Sequence, residues 1–198
     1  MATKPTRSSR YLLVLLVWFA AAVAAGASGQ LARLPFPGPQ LILGGLTVFL
    51  LVAGAVGPDF RRWLAGVNLR QMIVLHLTRF VGIYFLVLYA RGELPFAFAV
   101  PGGWGDIVVA TGALILVLLV PDLPARRGWV QLWNVIGLLD ILFVVATAAR
   151  LTLADPNSMT PLLRMPLSLL ITFLVPLIIA THLWLGRRLL TESLAPKR

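Results

Sequence analysis

The sequence predicts an all-α membrane protein, a polytopic bundle of six transmembrane helices. Hydrophobic residues make up 59% of the chain and charged residues 12%, with a mean hydropathy of +0.91, far from the balance of a water-soluble domain. A hydrocarbon core about 30 Å thick takes about 20 apolar residues per helical crossing. The 198 residues therefore hold six crossings with short loops and leave no room for a soluble module. The basic residues, which set a formal net charge of +10, stand in small groups between apolar runs, as they do when they orient helices in a bilayer. That pattern argues against a nucleic-acid partner. The chain has no cysteine, which excludes disulfides, thiolate metal sites, iron–sulfur clusters and a cysteine nucleophile.

The apolar runs place the crossings at about 11–29, 39–57, 71–90, 104–120, 129–149 and 165–186, between a tail at 1–10 and a basic tail at 187–198. The first run follows Lys4, Arg7 and Arg10 and resembles a signal peptide, but its apolar stretch from Tyr11 to about Ala27 exceeds a usual h-region. It is read as a helix. Lys4, Arg7, Arg10, Arg61, Arg62, Arg70, Arg126, Arg127, Arg187, Arg188, Lys197 and Arg198 then fall on one side, against Arg33, Arg91, Arg150 and Arg164 on the other. The positive-inside bias puts both termini in the cytoplasm, in a plasma (inner) membrane of bacterial type.

The outer loops are rich in proline and glycine, at 34–39, 94–103 and 155–161, and read as tight turns. Phe96 through Val100 is too apolar for a solvated loop and reads as interfacial or as a lid. Arg-Leu-Pro-Phe at 33–36 and Glu-Leu-Pro-Phe at 93–96, with Arg-Arg pairs at 61–62, 126–127 and 187–188, suggest three tandem helical hairpins. Trp18, Trp63, Trp104, Trp129, Trp133 and Trp184 read as interfacial anchors.

Polar groups inside the apolar runs carry the functional information, because an ionisable group at mid-helix costs roughly 2.5–3.5 kcal/mol on insertion scales. His76 and Arg79 share one face of the third segment, spaced i and i+3. At 1.5 Å per residue, Arg79 lies roughly 12 Å from the inner end of its helix and Asp140, in the fifth segment, roughly 16 Å from that of its own. These depths permit an ion pair. His182 stands at the depth of His76. Two histidines at one level suit proton exchange, axial ligation of haem b, or hydrogen bonds to carbonyls; they offer no other metal site. Asn134 lies on the inner part of the fifth segment as helix glue or ligand contact. Asp106 is placed at the start of the fourth helix, where a carboxylate is favoured by the helix dipole and is a candidate outer gate. Pro176 leaves the carbonyl of Thr172 without its usual donor.

No lysine lies in a crossing, which excludes a retinal Schiff base, and no zinc-protease or serine-hydrolase motif is present. The leading expectation is a small-molecule or ion carrier, or the membrane-bound binding subunit of one. In it Arg79 attracts a small anionic ligand, Asp140 holds the arginine or a coupling proton, and the histidines relay protons. The alternatives are a haem b- or quinone-binding redox protein and a non-catalytic assembly subunit. Expected partners are the lipid bilayer and an oligomeric copy or partner membrane subunit.

Overall fold

The computed structural model describes the backbone over residues 7–194 and side chains over residues 9–191. Lys4, Lys197 and Arg198, invoked above for orientation, lie outside the described residues. Among the described residues there is no strand. The helices are α1 (Arg7–Ala27), α2 (Gly38–Val56), α3 (Pro58–Gly66), α4 (Leu69–Val74), α5 (Gly82–Ala90), α6 (Phe96–Leu119), α7 (Arg127–Ala154) and α8 (Val175–Leu194). A 3₁₀ segment, Leu75–Val81, joins α4 to α5, and a π-helical segment, Leu170–Leu174, precedes α8. Six segments are long and apolar enough to cross a membrane: Ser9–Ala27, Gly38–Val56, Leu69–Ala90, Phe96–Leu119, Arg127–Ala154 and Leu170–Thr191. Six such helices are compatible with a multi-pass membrane protein.

Two compact units make up the fold. One combines residues 7–66 with Thr160–Pro176. In it the Trp18 indole N–H donates to the carbonyl of Thr172 at 2.9 Å, the group whose α-helical donor would have been the N–H that Pro176 lacks. Trp18 and Phe19 also meet the ring of Phe173, at centroid distances of 4.8 and 5.2 Å. Trp18 is thus an internal donor and not an interfacial anchor. Near the C-terminal end of α1, a β-carbon on Gly26 would meet the Met165 sulfur at 2.7 Å, so the glycine allows the chain to pass close.

The other unit combines Val67–Met159 with residues 177–194. Its core gathers Leu69, Met72 and Ile73 with Val109, Ala113 and Leu116 of α6, Val130 and Trp133 of α7, and Leu185 and Leu189 of α8. The α6 members recur at i, i+4 and i+7, one helical face. Trp133 is buried here, donating to the carbonyl of Val109 at 2.9 Å, so it too is no anchor. Arg70 donates to the carbonyls of Val117, Val120 and Pro121, satisfying acceptors that the end of α6 leaves open. Arg188 does the same for Val67 at 2.7 Å.

The fourth crossing departs most from expectation. It begins at Phe96 and runs through Pro101-Gly102-Gly103 without a break, so residues 96–100 form a helical turn and not a loop. A proline here forfeits only the bond to the carbonyl of Ala97, whereas an irregular backbone at membrane depth leaves many polar groups unsatisfied. The glycines serve a crossing and not a turn: a β-carbon on Gly103 would stand 2.8 Å from the carbonyl oxygen of Gly82. Before it, α5 closes on Gly92 at φ +72°. The Gly92 N–H donates to the carbonyl of Tyr89 and the Glu93 N–H to that of Leu88, a left-handed helix terminator that favours glycine.

Candidate functional site

Arg79 sits in the 3₁₀ segment, where three residues complete a turn and His76 and Arg79 align one above the other. Its guanidinium is held on three sides. Nε donates to Asp106 Oδ1 at 2.6 Å, Nη1 to the carbonyl of Gly137 at 2.8 Å, and Nη2 to Asp140 Oδ2. The side chains of Arg79, Asp106 and Asp140 are 1%, 4% and 16% exposed.

The ion pair between Arg79 and Asp140 therefore forms, joined by a second carboxylate. Asp106 was expected at a helix start; because α6 begins at Phe96, it instead lies in the third turn, buried against Arg79. The sequence did carry a signal. Small residues at 99, 102, 103, 110 and 113 keep a helical spacing straight through Pro101, and Asp106 falls on that same face. Gly105 and Gly137 were not foreseen as parts of the site. Asp140 Oδ1 fills the space that a β-carbon on Gly105 would need, and Gly137 supplies the third acceptor for Arg79.

His76 and His182 are fully buried and touch, with ring centroids 4.1 Å apart and a tilt of 42°. Trp133 lies against both rings, at 5.1 and 5.6 Å. The Asn134 amide Nδ2 donates to the carbonyl of His182 at 3.1 Å, so its Oδ1, 2.9 Å from His182 Nδ1, accepts from that nitrogen. The Thr181 hydroxyl donates to the carbonyl of Leu177 at 2.7 Å and accepts from His76 Nε2 at 3.4 Å. These assignments leave His182 Nε2 and His76 Nδ1 as bare acceptors, both buried with no hydrogen-bond partner. Gly137 connects the two groups. Its carbonyl takes Arg79, and a β-carbon on it would stand 2.6 Å from His182 Cε1 and 2.9 Å from Nε2.

The histidine pair does not fit haem. Metal–imidazole bonds of about 2 Å on opposite faces of an iron put the ring centroids about 6 Å apart, against 4.1 Å here. Among the described residues, no three His, Cys, Asp or Glu side chains converge to hold a metal ion.

The family model described as "Domain of unknown function (DUF8737)" matches residues 36–190. The chain belongs to this family. The matched region of the DUF8737 chain takes in every residue of the cluster, from His76 to His182. No curated protein and no solved structure matches it.

Proposed function

We propose that the protein is a proton-coupled carrier of a small molecule or ion, or the membrane-bound binding subunit of one, with both termini cytoplasmic in a bacterial plasma membrane. The observation that carries this reading is the ratio of two carboxylates to one guanidinium at membrane depth. A clamp needs one of each. The second carboxylate adds a formal negative charge that a low-dielectric site penalises unless a proton or cation balances it. The two bare imidazole nitrogens beyond Gly137 supply acceptors for a proton leaving the cluster.

The same geometry favours a holding role for Arg79. Three of its five N–H groups have acceptors within the protein and the side chain is enclosed, so its role is to hold the carboxylates and not to meet an anionic ligand. Coupling is the better reading for this cluster than anion recognition.

The test is solute-driven proton movement in proteoliposomes loaded with a pH-sensitive dye, screened with a metabolite panel. Wild-type protein is expected to move protons with one solute class, and Asp106→Asn and Asp140→Asn to abolish that movement while remaining folded. Movement unaffected by both substitutions would overturn the proposal, as would none for any solute by folded wild-type protein.

A further inference from the structure

Resting on the charge reading above, we infer that Asp140 opens the Arg79 cluster sideways onto the bilayer, where its partner is a membrane-dissolved amphiphile with a cationic amine head group. Three observations lead there. First, of the three charged side chains only Asp140 retains appreciable exposure; Arg79 and Asp106 are enclosed. Second, that exposure lies at the seam of α6 and α7, beside side chains suited to lipid. Ile136, Leu139 and Phe143 of α7 are exposed, as is Val108 of α6, one turn from Gly105. The accessible edge of the carboxylate thus opens among apolar groups at membrane depth and not into a polar vestibule. Third, Gly105 forms the window. Asp140 Oδ1 lies where its β-carbon would be, so a larger residue would displace and cover the carboxylate.

Charge and polarity select the occupant. Arg79 is enclosed and turned to acceptors of the protein, whereas the two carboxylates exceed it by one charge. An amine supplies that charge together with N–H donors for Asp140. An alkyl tail matches Ile136 and Phe143, and gives the ligand a route that needs no aqueous path.

Carbodiimides add to carboxyl groups to leave a stable N-acylurea adduct, and the chain has seven Asp and Glu residues in all. The full-length protein in phosphatidylcholine liposomes is treated with membrane-soluble dicyclohexylcarbodiimide or with a water-soluble carbodiimide, and adducts are mapped by peptide mass spectrometry. The membrane-soluble reagent is expected to modify Asp140 and spare Asp106, and the water-soluble one to modify Asp122 and Asp155 and spare Asp140. Dodecyldimethylamine in the bilayer, a tertiary amine that an activated carboxyl cannot convert to a stable amide, is expected to suppress the Asp140 adduct and dodecanol to leave it. An Asp140 that escapes the membrane-soluble reagent, or that the water-soluble one modifies, overturns the lateral opening. Suppression by neither amphiphile or by both equally overturns the amine. Either failure alongside Asp140-dependent proton movement removes this inference and leaves the carrier reading standing.

Discussion

The carboxylate of Asp140 occupies the space in which a β-carbon on Gly105 would lie. The relationship is a close approach of two helices, with one side chain filling the hollow that a missing side chain leaves on the other. Gly105→Ala is therefore expected to push Asp140 off Arg79. Overpacking of this kind costs about 1–3 kcal/mol, to be read as a lower melting temperature in detergent. Gly44→Ala is the control, since a β-carbon there meets nothing within 4 Å. It should leave the melting temperature unchanged or slightly raised. Equal effects of the two substitutions would refute the packing described for Asp140.

The charge cluster makes a second, graded prediction. Arg79→Leu strands two buried carboxylates and should be the most damaging single change, since removing one partner of a buried pair costs roughly 3–5 kcal/mol. Asp140→Leu alone leaves Arg79 with Asp106, a neutral pair, and should be milder. Arg79→Leu with Asp140→Leu still strands Asp106, so only the triple replacement of Arg79, Asp106 and Asp140 by leucine should recover much of the lost stability. Full recovery in the double variant would mean that Asp106 takes no part.

Much of this site was legible because hydrocarbon makes errors costly. Arg79, Asp140, His76 and His182 stand out in apolar runs, and depth arithmetic from the sequence brings them to compatible levels. Asp106 was misplaced because Pro101-Gly102-Gly103 is a stop signal in water, where a freed backbone can turn to solvent; at membrane depth the helix continues through it. Trp18 and Trp133 were read as anchors for a related reason. Composition locates an indole near a boundary but does not say which carbonyl it will reach: Trp18 donates to the one that Pro176 leaves without a helical donor, and Trp133 to that of Val109 inside α6. Gly105 and Gly137 act through the absence of a side chain, which only the paired surface reveals.

The bond from Trp18 to Thr172 is testable through the proline that exposes the carbonyl. Trp18→Phe keeps an aromatic ring against Phe173 and removes the donor, so it should cost about 1–3 kcal/mol, the penalty of an unsatisfied buried acceptor. In a Pro176→Ala background a backbone N–H becomes available near Thr172, and the same substitution should cost measurably less. Identical costs in the two backgrounds, measured by thermal melting, would show that Pro176 and Trp18 are not coupled.

The orientation rests on the placement of lysine and arginine and has its own test, for which the absence of cysteine is convenient. Glu93 lies in the turn before α6 and Arg126 in the turn after it, and both are exposed. One apolar helix of 24 residues separates them, about 36 Å at 1.5 Å per residue and therefore enough to cross the hydrocarbon core. Single-cysteine variants Glu93→Cys and Arg126→Cys should react with a membrane-impermeant maleimide from opposite sides. In intact spheroplasts Glu93→Cys should label at once and Arg126→Cys only after permeabilisation, because Arg126 and Arg127 belong to the basic side. The reverse order would invert the topology and move His76 and His182 to the outer half of the membrane. Labelling of both from one side would mean that Phe96–Leu119 does not span.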